Sequence, residues 1–316
     1  MTSQRSSSIS SAAPDTPAVF SRQLAIAILM SVACLFASNH VAARIAFDAD
    51  TGLLLAVLAR SGVAIVVLSA IVVWRRETLA VPSGQRRWQL LVGFLITLQS
   101  LCLYSAVARV PVAVALLLMN TFPIQLALLT WALGGARPSL RASLIMGGIL
   151  IGLVLVLDIP TWLSRPEAMG PQWLPGILFG VGAASAFSCA LWVTDRKLKG
   201  LDGAVRTLLT MVTVFICMVL AGMSGILPGG LATPSRIEGW YGLILLAVLY
   251  GVGFSVLFTC VPRLDMPRNA PVMNIEPVAA LLLGYLVLGQ VLTPIQLMGG
   301  AVVLAGIVVL SVSKGR

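Results

Sequence analysis

Two stretches of the sequence share the frame Met-Asn-x-x-Pro, and each lies near the middle of a long apolar segment. They are Met119 to Pro123 and Met273 to Pro277, about half a chain apart. The Asn side chain both donates and accepts hydrogen bonds, and polar groups at the depth of a membrane often mark a solute pathway. We therefore predict that Asn120 and Asn274 line a cavity that binds a small-molecule substrate.

Pro123 and Pro277 are predicted to kink or open the helices that contain them. Proline lacks a backbone donor and clashes with the carbonyl group four residues earlier, here at about Met119 and Met273. A carbonyl freed inside hydrocarbon needs a partner unless it lines a cavity. Two interpretations stay open: the kinks shape a substrate cavity, or they are structural and each Asn side chain binds the loosened backbone.

Glu276 and Arg60 are charged residues inside apolar segments. A charge at the centre of a bilayer costs about 2.5–3.5 kcal/mol on insertion scales, so each needs a compensating interaction. Glu276 could be neutral in one conformation and ionised in another, as a proton-coupled carrier requires, or it could be a neutral acid that closes the gap at Pro277. Arg60 could pair with Glu276 or bind an anionic group of a substrate.

His40 is the only histidine, and it follows Asn39 in the first apolar segment. Histidine can carry protons near neutral pH, although a single helical histidine can also be a packing residue. Gln99 supplies a further polar side chain in the third segment. The predicted substrate cavity thus contains Asn120, Asn274, Glu276, Arg60, Asn39, His40 and Gln99.

The composition is that of a membrane protein. Of 316 residues, 59% are hydrophobic and 10% are charged, whereas soluble proteins have about 25% charged residues. Ten segments approach the roughly 20 residues that a crossing needs. They are Leu24 to Ala43, Thr51 to Val73, Trp88 to Val107, Pro111 to Leu133, Arg141 to Leu157, Trp173 to Thr194, Ala204 to Ile226, Trp240 to Cys260, Arg268 to Gly289 and Thr293 to Val312.

The repeated motif divides these segments into two sets of five. An odd number of crossings makes the second half enter the membrane from the opposite face. The predicted fold is therefore an all-α integral membrane protein, with ten transmembrane helices arranged as two inverted-topology five-helix repeats, residues 24–158 and 173–312. Residues 1–23 are rich in Ser and Pro and are predicted to form a disordered cytoplasmic tail.

Basic residues predict the orientation. Most of the 21 Lys and Arg residues fall on one side of the ten segments, the side that also contains both termini. Basic loops stay in the cytoplasm, so both termini are predicted to be cytoplasmic. The net charge of +10 is then explained by membrane topology, and no nucleic-acid partner is expected. The expected partners are the lipid bilayer and a small-molecule substrate, and the sequence does not specify an oligomeric state.

Motifs of enzymes and cofactor sites are missing from the sequence. It contains no Walker A loop and no G-x-S-x-G nucleophile motif, and a single histidine excludes a multi-His metal cluster. The five cysteines have neither metal-binding nor redox spacing. We therefore expect no enzymatic activity, no metal and no cofactor.

The sequence resembles the drug/metabolite transporter superfamily, specifically its EamA-type ten-span branch. The matching frames are Ala37-Ser38-Asn39-His40-Val41-Ala42, Leu58-Ala59-Arg60, Glu276-Pro277-Val278-Ala279-Ala280-Leu281-Leu282-Leu283-Gly284-Tyr285, Leu288-Gly289, Leu292-Thr293-Pro294-Ile295-Gln296 and Gly299-Gly300. The family often ends its fourth and ninth spans with Leu-Gly-Glu, but this chain has Ala136 and Gln290 at the two Glu positions. No role of that glutamate carries over.

The resemblance implies a secondary transporter in the cytoplasmic (inner) membrane that exports small metabolites, amino acids or drug-like compounds by alternating access. Two alternatives stay open: an exchanger of nucleotide-linked or phosphorylated solutes, and a membrane scaffold without transport activity. An exchanger of phosphorylated solutes needs basic residues in the cavity, and Arg60 alone qualifies among the predicted residues. The substrate, the coupling ion and the direction of transport are not specified by the sequence.

Overall fold

The computed structural model describes residues 20–135, 137–156, 164, 170–198, 201–225, 230–260, 263–264 and 270–313. Within these ranges the regular secondary structure is entirely helical. Eleven α-helices are named in chain order: α1 Arg22–Asp48, α2 Leu53–Arg75, α3 Ser83–Val107, α4 Val112–Met119, α5 Phe122–Ala132, α6 Leu140–Val156, α7 Trp173–Lys197, α8 Gly203–Ser224, α9 Ile237–Cys260, α10 Glu276–Leu288 and α11 Pro294–Ser313. A 3₁₀ helix, Ala270–Ile275, precedes α10.

In the described part of the chain, seven helical stretches are long and apolar enough to cross a membrane, and α4 and α5 together form one of them. Three shorter apolar stretches accompany them: Ser143–Val156, Glu276–Leu288 and Pro294–Gly306. Large apolar side chains such as Val66, Leu144 and Leu286 are more than 60% exposed on the outside of the bundle. Apolar surface of this kind is stable in lipid and costly in water, so the chain is a multi-pass membrane protein.

The helices of the two halves pack mainly against each other. Helix α1 packs on α9 and α10, and α7 packs correspondingly on α3 and on the pair α4 and α5. Helix α2 contacts α8 and α9, whereas α8 contacts α2 and α3. Helix α6 packs on α11, and α4 packs on α10. When each of the first five segments is interchanged with the corresponding one of the last five, the same set of neighbouring pairs is obtained.

Two segments are interrupted where the Met-Asn-x-x-Pro motifs occur. Helix α4 ends at Met119 and α5 begins at Phe122, so that Asn120 and Thr121 lie between two helices. In the second motif the 3₁₀ helix ends at Ile275 and α10 begins at Glu276. In both cases the proline occupies the first turn of the helix that follows, where its missing N–H costs least.

Glycine permits close contact at selected helix crossings. A Cβ atom on Gly242 of α9 would lie 2.8 Å from the backbone O of Ala42 and the backbone N of Ala46 in α1. Likewise, a Cβ atom on Gly299 of α11 would lie 2.6 Å from the backbone O of Gly152 in α6. Backbone atoms cannot move aside as a flexible side chain can, so these crossings require glycine.

The beginning of α1 differs slightly from the prediction. Arg22 and Gln23 were assigned to the disordered tail, but α1 starts at Arg22, and the Ser21 hydroxyl caps it by accepting a hydrogen bond from Leu24 N. Phe20 N donates to Arg263 O at 2.9 Å. Ser21 is a favourable N-cap residue, which explains why the helix begins before the apolar stretch does. Residues 1–19 of the predicted tail lie outside the described ranges.

Candidate functional site

A cavity of about 380 Å³ lies between the two halves of the chain. This volume is in the range typical of small-molecule sites. Its lining comes from α1 to α5 and from α7 to α10, and consists of Phe36, His40, Arg60, Val92, Ile96, Gln99, Leu103, Leu116, Met119, Asn120, Phe122, Phe187, Leu191, Thr194, Arg206, Thr207, Thr210, Met211, Tyr250, Phe254 and Glu276. The predicted cavity residues lie on segments 1, 2, 3, 4 and 9, and in the structure segments 6, 7 and 8 contribute to the lining as well.

Aromatic rings form two groups on the cavity surface. Phe36 of α1 packs with Tyr250 and Phe254 of α9, at centroid distances of 6.0 and 5.5 Å. Tyr250 and Phe254 are 4.4 Å apart. Phe122 of α5 and Phe187 of α7 form the second group, with their rings edge to face at 5.0 Å. Flat apolar walls of this kind bind the hydrophobic part of a small molecule with little loss of side-chain entropy.

Arg60 lies between two tyrosine rings. Its guanidinium carbon is 4.4 Å from the ring centroid of Tyr250 and 4.9 Å from that of Tyr104. The electron-rich faces of aromatic rings attract a cation, and this partly offsets the cost of a side chain that is only 4% exposed. The Nη2 atom of Arg60 donates a 2.6 Å hydrogen bond to the Ser100 hydroxyl. No carboxylate of the described residues lies within 4.0 Å of Arg60, so the anticipated pair with Glu276 is not formed.

Glu276 instead lies next to His40. The two side chains belong to opposite halves of the chain, and His40 Nε2 is 3.5 Å from Glu276 Oε1. Glu276 is also the first residue of α10, and a carboxylate is stabilised by the positive end of the dipole at a helix N-terminus. Both residues line the cavity. The structure therefore brings together the two side chains for which the sequence suggested proton binding.

Asn120 lines the cavity and also binds the interrupted backbone. Its Nδ2 atom donates a 2.8 Å hydrogen bond to Leu116 O, and the neighbouring Thr121 hydroxyl donates to Leu118 O at 2.7 Å. From α7, the Ser188 hydroxyl donates to Phe122 O at 3.0 Å. Carbonyl groups near the interruption thus have polar partners. Hydrogen bonding to the backbone and exposure to the cavity occur together at Asn120.

The remaining predicted residues have different surroundings. Gln99 lines the cavity, and its Nε2 atom is 3.9 Å from Met119 Sδ. Asn39 does not line the cavity, because its amide points to α9 and donates a hydrogen bond to Leu246 O. It is 1% exposed. The backbone of Asn274 lies in the 3₁₀ helix, but its side chain lies outside the described part of the structure.

The two ends of the helix bundle differ around the cavity. The lining reaches Thr194 at the end of α7 and Arg206 and Thr207 at the start of α8, and these three side chains are partly exposed. At the opposite end α1 terminates against the connection between α3 and α4. There Arg44 donates to Val107 O at 3.1 Å and to Val110 O at 3.4 Å.

Further contacts close that opposite end. Arg44 Nε donates to both carboxylate oxygens of Asp48, and Arg236, before α9, donates to Asp48 O. Ser235 N donates to Ala49 O at 2.9 Å, and the Ser235 hydroxyl donates to Asp50 at 2.8 Å. The cavity therefore approaches one end of the bundle while the helix termini at the other end are joined by hydrogen bonds.

The sequence did not identify several of the lining residues. Phe36, Tyr250 and Phe254 are not among the predicted cavity residues, yet all three form one cavity wall. The signal that could have found them is Arg60, since a buried arginine without a carboxylate needs aromatic or backbone partners. Among the described residues no group of three or more His, Cys, Asp and Glu side chains could hold a metal ion.

A multi-pass helical membrane protein with a cavity between two halves has the architecture of membrane transporters. The chain belongs to the EamA-like transporter family, whose model matches residues 23–158 and 174–312.

Two relatives agree with this assignment, and a solved structure shares the fold. An uncharacterized transporter of Synechocystis sp. is 27% identical over 234 residues, which cover 70% of this chain and 65% of the relative. An uncharacterized transporter of Archaeoglobus fulgidus is 29% identical over 206 residues, covering 65% of this chain and 69% of the relative. The match thus spans slightly less than two thirds of the Synechocystis protein. A protein of known crystal structure shares the fold, with a TM-score of 0.60 at 20% identity over 94% of this chain and all of the other.

Proposed function

We propose that the protein is a secondary transporter that exports small metabolites, amino acids or drug-like compounds across the cytoplasmic membrane by alternating access. The observation that carries the proposal is the cavity between the two halves, which approaches one end of the bundle while hydrogen bonds join the helix termini at the other. A carrier must bind its solute at such a central site and expose it to one side at a time.

The symmetry of the helix contacts supports two interchangeable states. Ten crossings in two inverted halves would place a two-fold axis in the membrane plane. The main contacts between helices of the two halves have counterparts when the halves are exchanged, as for α1 with α9 and α7 with α3. Exchanging the conformations of the halves would then open the closed end and close the open one, with a small difference in free energy between the states.

The distribution of charge supports an inward-facing state. The cavity reaches the ends of α7 and α8, where Arg196, Lys197 and Arg206 lie. Because basic residues flank the cytoplasmic ends of spans, this end faces the cytoplasm and both termini are cytoplasmic. The structure then corresponds to a carrier ready to take up a solute from inside the cell.

The purified protein in liposomes tests the proposal. We expect it to move at least one member of a panel of amino acids, their toxic analogues, cationic drugs and sugar phosphates, under a gradient of protons or of the solute. Leu191→Trp should abolish this movement, because Leu191 lines the cavity and a larger side chain fills it. Leu178→Trp on the same helix is the matched control, since Leu178 is 63% exposed on the outside of the bundle.

The outcomes separate the alternatives. Movement of phosphorylated solutes alone would favour the exchanger, for which Arg60 and Arg206 are the cavity cations; Arg206 also interacts electrostatically with Asp202. If nothing in the panel moves through a folded protein, the carrier proposal is contradicted and a scaffold role is favoured.

A further inference from the structure

The guanidinium of Arg60 has more donors than partners. Of its five N–H groups, one donates to the Ser100 hydroxyl, and the Tyr104 hydroxyl is a second hydrogen-bonding neighbour of the side chain. The Nε atom is buried without a hydrogen-bond acceptor among the described residues. A buried cation with free donors is costly, and Arg60 lines the cavity. A further acceptor for the guanidinium can therefore come from a molecule in the cavity.

The charges around Arg60 do not neutralise it. Glu276 is the acidic residue of the cavity lining, and it lies 3.5 Å from His40. The groups that face Arg60 from the neighbouring helices are the tyrosine rings of α3 and α9 and the Ser100 hydroxyl. His40 of α1 also interacts electrostatically with Arg60. The tyrosines and the serine are neutral ligands, so an anion bound beside Arg60 would balance its charge. The planar guanidinium favours a carboxylate, with which it can form two parallel hydrogen bonds.

The surface next to Arg60 is aromatic. Tyr250 contacts the guanidinium at 4.4 Å on one side and packs with Phe254 at 4.4 Å on the other, and Phe36 completes the wall. A carboxylate at Arg60 therefore has an apolar, ring-lined surface within about one ring diameter. Such a surface favours a flat hydrocarbon body over a sugar or a peptide backbone, whose polar groups would lose their hydrogen bonds to water.

We propose that the cavity binds organic carboxylates with a flat apolar body, with the carboxylate on Arg60 and the body against the wall formed by Phe36, Tyr250 and Phe254. This names a substrate class for the site and rests on the proposed transport function. In this role Arg60 is a substrate-binding residue, and the two tyrosine rings fix the direction of its guanidinium.

Binding to the purified protein in detergent tests the proposal, with calorimetry as the measurement. The probes are 3-phenylpropanoate, its neutral amide 3-phenylpropanamide, and acetate, which has the carboxylate without the body. We expect the acid to bind about ten- to hundredfold more tightly than the amide, because the amide loses charge-assisted hydrogen bonds. Acetate should bind at least about tenfold more weakly than the acid, because it buries little apolar surface.

Substitutions connect this preference to Arg60. In Arg60→Gln the acid should bind no better than the amide, whereas Arg60→Lys, which keeps the charge but not the two-pronged geometry, should retain part of the preference. Arg87→Gln is the matched control, since Arg87 is exposed and lies over the Trp88 ring, outside the cavity lining. Should Arg60→Gln fail to fold, the comparison of acid and amide on the unmodified protein and on Arg60→Lys still decides the question.

Several results would overturn the proposal: equal binding of acid and amide, binding of neither, binding of acetate as tight as that of the acid, or an acid preference that survives Arg60→Gln. These outcomes are separate from the transport test. Movement of cationic or neutral solutes without binding of the acid leaves the carrier intact and rejects the carboxylate site. Binding of the acid to a protein that transports nothing supports the carboxylate site and rejects the carrier.

Discussion

His40 and Glu276 lie 3.5 Å apart across the boundary between the two halves of the chain. The separation of His40 Nε2 from Glu276 Oε1 exceeds that of a well-formed hydrogen bond, and both side chains line the cavity. Because Glu276 begins α10 directly after the 3₁₀ helix, a change in its charge would act on the start of this helix.

This relationship predicts that Glu276 couples transport to protons. Glu276→Gln should abolish the stimulation of transport by a proton gradient, because the amide cannot ionise, while exchange of solute across the membrane continues. The measurement is solute flux in liposomes with and without an imposed gradient. Glu238→Gln, at an exposed position in the first turn of α9, is the matched control. If Glu276→Gln retains the full response to pH, proton coupling through this residue is rejected.

The hydrogen bond from Asn39 to Leu246 O joins α1 to α9. Asn39→Leu should destabilise the protein by about 1 kcal/mol, since hydrogen bonds between membrane helices contribute roughly that much. Asn39 Oδ1 has no hydrogen-bond partner among the described residues. The substitution therefore removes one hydrogen bond, which keeps the loss of stability at this modest value. A thermal melt in detergent should show a decrease of about 2–4 °C.

Ser38→Ala is the control for this change, because the Ser38 hydroxyl binds Cys34 O within α1 at 2.8 Å. It should leave the melting temperature nearly unchanged. An equal decrease in both variants would contradict a specific link between the halves.

Arg44 is expected to stabilise the closed end of the cavity. Its side chain binds the carbonyl groups of Val107 and Val110, and charge-assisted hydrogen bonds contribute about 1.5–3 kcal/mol. Arg44→Met should therefore raise the population of the state open at this end by about tenfold or more. The measurement is the labelling rate of Val110→Cys, at a position 1% exposed, by a membrane-impermeant maleimide in a background without the five native cysteines.

Arg86→Met provides the comparison for this labelling experiment. Arg86 is exposed and binds Val81 O near the start of α3, so its replacement should not change the rate. Labelling that is equally slow in both backgrounds would show that Arg44 does not close this end.

Gly242 is required for the contact between α9 and α1. Gly242→Ala places a methyl group 2.8 Å from backbone atoms of α1, and overpacking of this kind costs about 1–3 kcal/mol. Gly148→Ala in α6 is the control, because nothing lies within 4 Å of its added Cβ atom, and alanine favours the helix over glycine. Melting temperatures in the same detergent should fall for the first variant and stay equal or rise for the second. A neutral Gly242→Ala would contradict the described approach of the two helices.

Local features that act within one segment could be predicted from the sequence. Proline lacks a donor wherever it occurs, so the Met-Asn-x-x-Pro motifs indicated where to look for irregular backbone, and the structure places Asn120 between α4 and α5. The burial of Arg60 also follows from its position among apolar neighbours. The EamA-like family and the multi-pass character were likewise recognisable from composition and from the frames around Arg60 and Glu276.

Features that depend on helix rotation and on contacts between distant segments could not be predicted. Asn39 and His40 are adjacent, but consecutive residues point about 100° apart on a helix, so His40 lines the cavity while Asn39 binds α9. The sequence does not specify the rotation of α1 about its axis.

The same limit applies to Gln290. Its Oε1 atom accepts a hydrogen bond from Val112 N at the start of α4, at 3.2 Å, and so links the connection after α10 to the other half. Gln290 stands where the family often has glutamate, and this difference in the sequence does not indicate the contact with Val112.

The symmetric set of helix contacts has a consequence for the energy of the transport cycle. If the two halves exchange conformations, like pairs of residues contribute equally to the inward- and outward-facing states, and their contributions cancel. Only unlike pairs can make one state more stable than the other. In the register that aligns Met119 with Met273, Phe122 corresponds to Glu276 and Ile96 to Tyr250, and all four line the cavity. These two unlike pairs would contribute differently to the two states of the proposed carrier. Because a solute bound in the cavity would cover them, its binding would also change which side of the membrane the protein prefers to face.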